Sequence, residues 1–231
     1  MAFGIIMPPK KKMCKAVIFD MDGLMFDTEK IYSRAWAYAG EKIGYKIDDE
    51  FLNPLRGANR KMCVEYFRER LGSSFDYEYA RRIRSEYVQK YLEKEGIPCK
   101  PGLYELMNFL KEKNFKIALA TSTFKKEAER YLHMADVYKY FDVLVYGDMV
   151  ARGKPHPDIY LKASEYINES PGNCFVLEDS CNGVLSAASA GCRVIMVPDE
   201  VEPDYEISCL LYKKCNSLND VIECIKAEFI C

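Results

Sequence analysis

Apolar and polar positions follow two different rhythms along this chain. Ala16-Val17-Ile18-Phe19 is a short, uninterrupted apolar run, rich in β-branched residues, that ends on Asp20. Runs of the same kind recur at Lys116 to Ala120, Asp142 to Tyr146, Cys174 to Leu177 and Arg193 to Val197. A strand covered on both faces by helices has no polar side, so these runs predict buried parallel strands. Between them the spacing becomes helical. Leu103, Leu106, Met107 and Leu110 fall on one face, with Asn114 as a stop before the next strand. Leu218 to Ile225 carries a further helical pattern near the C-terminus. Strand and helix in alternation predict an α/β fold, a doubly wound parallel sheet with its functional residues at the carboxyl ends of strands.

One stretch breaks that alternation. From about residue 30 to 97 there is no strand pattern but three helical stripes: Ile31, Ala35, Trp36, Ala39 and Ile43; then Met62 to Leu71; then Ile83, Tyr87, Val88, Tyr91 and Leu92. Gly96-Ile97-Pro98 closes the segment. The expected organisation is a disordered leader over 1–13, an α/β core over 14–31 and 98–231, and an all-helical insert over 32–97.

Composition narrows the classes. The 231 residues hold 33 Lys+Arg against 35 Asp+Glu, a net charge of −2, which argues against a nucleic-acid-binding surface. Apolar content of 49% with 29% charged residues rules out a disordered chain. No apolar stretch approaches the ~20 residues of a membrane span. The Ala2 to Met7 run is too short for a signal-peptide core, so a cytoplasmic protein is expected. Ten cysteines include no C-x-x-C pair and have only His133 and His156 to join them, which favours small buried hydrophobes over zinc or disulfides. Nothing in the sequence speaks to oligomeric state.

Polar signals follow four of the predicted strands. Phe19-Asp20-Met21-Asp22-Gly23 sets two carboxylates at the end of the first, with Gly23 allowing a sharp turn. Thr121-Ser122-Thr123 ends the second, Gly153-Lys154-Pro155-His156-Pro157-Asp158 follows the third, and Glu178-Asp179-Ser180 with Gly183 follows the fourth. Singly, each reads equally well as turn or helix-cap chemistry. Together they make a set for phosphoryl transfer, which needs an oxygen nucleophile, neutralised equatorial oxygens and a proton donor for the leaving group. Asp20 and Asp179 can hold Mg²⁺, Lys154 adds a fixed positive charge, and Thr121, with Ser122 beside it, offers hydroxyls to phosphate oxygens.

The order DxDG, strand-end hydroxyl, GKP, EDS resembles the haloacid dehalogenase superfamily. FDMDGLMFDTE with a helical insert behind it is similar to the branch containing beta-phosphoglucomutase and small sugar- or nucleotide-phosphate phosphatases. The resemblance covers Lys15 to about Pro198. It implies Asp20 as the nucleophile that forms an aspartyl-phosphate and ligates Mg²⁺, and Asp22 as general acid/base with its carbonyl on the metal. It further implies Thr121 as the phosphate-binding hydroxyl, Lys154 as the neutralising cation, Asp179 as a direct metal ligand and Glu178 as a near-site carboxylate acting through water. The insert matches a cap that closes over the cleft, and the loop Leu55-Arg56-Gly57-Ala58-Asn59-Arg60 matches one that reaches substrate, through Arg56 and Arg60. Tyr32 stands where beta-phosphoglucomutase has a histidine, which lowers the mutase reading. The expected activity is thus Mg²⁺-dependent hydrolysis of a small phosphorylated metabolite, with a sugar phosphomutase or a non-catalytic phosphate-binding module as the alternatives.

Overall fold

A computed structural model of the protein describes residues 14–58, 60–199 and 201–228; the leader expected over 1–13 lies outside the described residues. Six strands form one sheet in the order β3-β2-β1-β4-β5-β6, with every pairing parallel. They are β1 (Ala16–Phe19), β2 (Lys116–Ala120), β3 (Val143–Val145), β4 (Cys174–Glu178), β5 (Arg193–Met196) and β6 (Lys213–Lys214). The register sets Ala16 beside both Lys116 and Cys174. Period-two alternation divides each central strand between two cores. Val17, Phe19, Ile117, Leu119, Phe175 and Leu177 face one side, while Ala16, Ile18, Ala118, Ala120, Cys174 and Val176 face the other.

Helices α5 (Leu103–Glu112), α6 (Lys125–Met134) and α10 (Leu218–Ala227) cover the first side; α7 (Asp158–Tyr166), α8 (Cys181–Ser189) and α9 (Tyr205–Ser208) cover the second. The chain winds β1, β2, β3 in one direction and then returns to β4 on the far side of β1. That reversal opens a crevice at the carboxyl ends of β1 and β4, where open α/β sheets bind ligands.

The insert is helical throughout. It comprises α1 (Glu29–Ile43), α2 (Asp49–Leu52), α3 (Arg60–Leu71) and α4 (Tyr77–Glu95), around a small core of Ile47, Leu52, Phe67, Phe75 and Ala80. Trp36 packs on Phe67 and Tyr77 with ring centroids 4.7 and 5.7 Å away. The segments leading into and out of the insert lie side by side: the Asp27 amide donates to the Pro98 carbonyl (2.9 Å) and the Lys100 amide to the Met25 carbonyl (2.8 Å). Of the described cysteines, Cys14, Cys174 and Cys215 are buried and only Cys209 is exposed. Among the described residues no helix is long and apolar enough to cross a membrane.

Candidate active site

Where β1 ends, the Asp20 amide donates to the Leu177 carbonyl (3.0 Å), tying this corner to β4. The chain then reverses. Gly23 takes a left-handed conformation (φ 83°), and a Cβ there would overlap the Asp179 carboxylate, so only glycine allows both the turn and the approach. β4 delivers Glu178 and Asp179 to the same spot. One carboxylate oxygen from each of Asp20, Glu178 and Asp179 lies within 4.8 Å of the others, and all three residues are buried.

Lys154, from the loop before α7, is 1% exposed and reaches into this cluster. Its Nζ donates to Asp20 Oδ1 and to Glu178 Oε1, the latter at 2.6 Å. Tyr160 also donates to Glu178 Oε1. The other oxygen, Oε2, accepts from the amides of Asp179 (3.1 Å) and Ser180 (3.2 Å) and from Ser180 Oγ (3.1 Å). Both oxygens of Glu178 are therefore held by protein donors. Gly183 contributes by what it lacks, since a Cβ at that position would overlap the Glu178 carboxylate.

Burial pushes the Asp20 carboxyl up to about 8; Lys154 pulls against the shift and Glu178 adds to it. Asp179 is driven well above the ordinary carboxylate range by burial, with Glu178 and Asp20 adding to the effect. Burial opposes the charge on Lys154, but Asp20 and Glu178 outweigh it and hold its pKa above the usual lysine value. An electronegative pocket of oxygen donors in which the carboxylates oppose one another's ionisation suits a small hard cation such as Mg²⁺.

Asp22 belongs to a different environment. Its Oδ1 accepts from Thr28 Oγ1 (2.9 Å) and Tyr32 OH (2.8 Å), and its Oδ2 from Thr123 Oγ1 (2.7 Å). Burial raises its pKa, and the three hydroxyls pull it back. Asp22 lines a cavity of about 190 Å³ between insert and core, together with Tyr32, Trp36, Arg84 and Thr123.

The remaining sequence-derived residues are distributed unevenly. Thr121 is buried at the end of β2, its Oγ1 accepting the Thr123 amide (3.0 Å). Ser122 Oγ donates to the Gly57 carbonyl (3.2 Å) and Asn182 Nδ2 to the Arg56 carbonyl (2.9 Å), so the loop of the insert rests on the core. Arg56 and Arg60 both line the cavity, but each is already ion-paired: Arg56 with Glu29 at 2.6 Å, Arg60 with Glu78. Sequence reasoning passed over Thr28, Thr123, Tyr160 and Arg84. The first two sit inside motifs it had singled out; the last two carry no local signal.

A family model for haloacid dehalogenase-like hydrolases matches residues 14–191. The chain is 39% identical over 178 residues to the phosphorylated carbohydrates phosphatase of Thermotoga maritima, covering 77% of this chain and 82% of that protein. It is 31% identical over 183 residues to the beta-phosphoglucomutase of Bacillus subtilis, covering 77% and 80%. The crystal structure of CbbY from Rhodobacter sphaeroides in complex with phosphate superimposes with a TM-score of 0.77 at 26% identity, covering 90% of this chain and 96% of that one.

Proposed function

The chain belongs to the haloacid dehalogenase-like hydrolases and is a phosphomonoester hydrolase of that family, and from this premise we propose that it hydrolyses a small phosphorylated metabolite, a sugar phosphate or a nucleotide-type monoester. The observation that carries this reading is the buried Asp20, hydrogen-bonded by Lys154 and within 4.8 Å of an Asp179 carboxylate oxygen, at the crevice between β1 and β4. In this reading Asp20 attacks phosphorus as the bond to the leaving oxygen breaks, giving an aspartyl-phosphate. Asp22 gives its proton to the departing alkoxide, then takes one from the water whose attack breaks the Asp20–phosphate bond. Lys154 spreads positive charge over the phosphoryl oxygens, and Thr121, whose hydroxyl only accepts among the described residues, adds a hydrogen bond, while Ser122 holds the insert loop in place.

The buried oxygen-only donor set fits Mg²⁺, with Asp20 and Asp179 to hold it and, as the family resemblance implies, the main-chain carbonyl of Asp22. When bound, that ion neutralises phosphate charge so that one anion can approach another. Glu178, with both oxygens taken, serves as the anchor that aims Lys154. The helical segment, residues 32–97, is assigned to a cap that excludes water during transfer and selects the leaving group.

Hydrolysis is preferred over return of the phosphoryl group to a sugar because of Tyr32. Its hydroxyl is donated to Asp22, and burial lifts its pKa well above the ordinary tyrosine value, so it holds a hydrogen bond and does not shuttle protons. The test is phosphate release from a panel of phosphorylated metabolites with and without Mg²⁺, run beside Asp20→Asn. Mg²⁺-dependent release that falls at least ~10³-fold in the variant is expected. Turnover without divalent cation, or primer-dependent conversion of hexose 1-phosphate to 6-phosphate outrunning phosphate release, would overturn the reading.

A further inference from the structure

The cavity lined by Asp22 contains four cationic side chains, Arg56, Arg60, Arg81 and Arg84. Glu29 and Glu78 occupy the first two. The other pair, three residues apart on α4 and so on the same side of the helix, is not occupied in that way. Among the described residues no carboxylate lies within 4 Å of Arg81. Arg84 is only 9% exposed, and its Nε has no hydrogen-bond partner among the described residues. Its single ion pair is loose: Glu127 is 3.8 Å away and already accepts the Tyr131 hydroxyl at 2.9 Å.

A buried guanidinium with so little to bind is expensive to keep unless something else completes it. The Arg84 guanidinium lies 3.8 Å from the centroid of the Tyr32 ring, and Tyr32 in turn is fixed by its bond to Asp22. Its planar fork is therefore already oriented, and an anion meeting it costs little further ordering. Asp22 and Arg84 line the same small cavity, so a group leaving through the first is within the field of the second.

We propose that Arg84, supported by Arg81, binds a negatively charged group carried by the leaving alcohol itself, a carboxylate or a second phosphate. This deepens the phosphatase reading and rests on it: the preferred substrates are small phosphomonoesters with an anionic tail, ahead of neutral polyol phosphates.

Steady-state kinetics with Mg²⁺ on three probes test it: glycerol 1-phosphate (hydroxyl tail), 2-phosphoglycolate (carboxylate tail) and 1,3-propanediol bisphosphate (phosphate tail). At least one charged-tail probe should exceed glycerol 1-phosphate in kcat/KM by about tenfold or more, and the better of the two identifies the anion. Arg84→Gln should lower that ratio about tenfold, chiefly through KM, with Arg84→Lys recovering part of it. A wild-type ratio of one or less, or a ratio that Arg84→Gln leaves unmoved, overturns the assignment. If Arg84→Gln does not fold, Arg81→Gln and the wild-type ratio decide. Absence of turnover on all three probes and on p-nitrophenyl phosphate would instead bring down the phosphatase reading, and this one with it.

Discussion

Three hydroxyls, from Thr28, Tyr32 and Thr123, converge on the carboxylate of Asp22. Burial pushes that carboxyl upward and the hydroxyls restrain it, the balance by which a protein brings a general acid toward its working pH. Asp22→Asn should slow hydrolysis of alkyl phosphates by ~10²–10⁴-fold. Aryl phosphates, whose leaving groups need no proton, should lose far less, and rates on a matched alkyl and aryl pair check this. Equal losses on both would mean that Asp22 does something other than give a proton. The carboxylates themselves were legible because each follows an apolar strand. The hydroxyls were less so: Tyr32 and Thr123 reach Asp22 across ten and 101 residues, and nothing local announces such a meeting. Arg84 escaped for a related reason, since a charged residue beside a helical apolar stripe reads as solvent-facing, yet here it is buried against Tyr32.

Among the elements, α8 does two jobs at once. Ser180 caps it by accepting the Gly183 amide (3.1 Å), and the same hydroxyl donates to Glu178. Gly183 leaves the space that the Glu178 carboxylate fills. Gly183→Ala should therefore displace Glu178 and with it Lys154, costing ~1–3 kcal/mol of stability and most of the activity. Denaturant titration and phosphate release on the same preparation check both parts; a stable, inactive variant would show that the glutamate moved without loss of packing. The central strands could be read from the sequence because the sheet buries them on both faces. β6 could not, since it consists of two exposed lysines, paired in parallel with β5, and has no apolar run to mark it. α2 spans four residues, less than the two turns a periodic signal needs. Asn114, expected as a stop, does take a left-handed conformation (φ 57°) before β2.

In the whole molecule, the insert rests on the core through Ser122 and Asn182, and close to that contact its own Glu29 and Arg56 form a half-buried ion pair. Burial pushes Glu29 from its ordinary 4.5 up to about 7, with Arg56 pulling against it. Between those values the folded protein keeps a proton that the unfolded chain has lost, so folding weakens as pH rises from 4.5 to about 7 and takes no further change from this residue above that. Thermal unfolding across that range should show this decline, and Glu29→Gln should remove its share of the slope; an unchanged slope would assign the titration elsewhere. The fold class was legible because alternation of strand and helix is a long-range pattern, whereas the closeness of Gly57 to Ser122 depends on how two separately packed units settle together. The paired segments at Met25 to Asp27 and Pro98 to Lys100 have one more consequence. To the sheet, some seventy residues of insert look like a single loop whose two ends are pinned together, and the entropy of closing such a loop grows only slowly with its length. Descent with modification can thus trade one insert for another, longer, shorter or differently charged, without disturbing the hydrolytic corner, so that a lineage explores new nutrients while inheriting its chemistry intact.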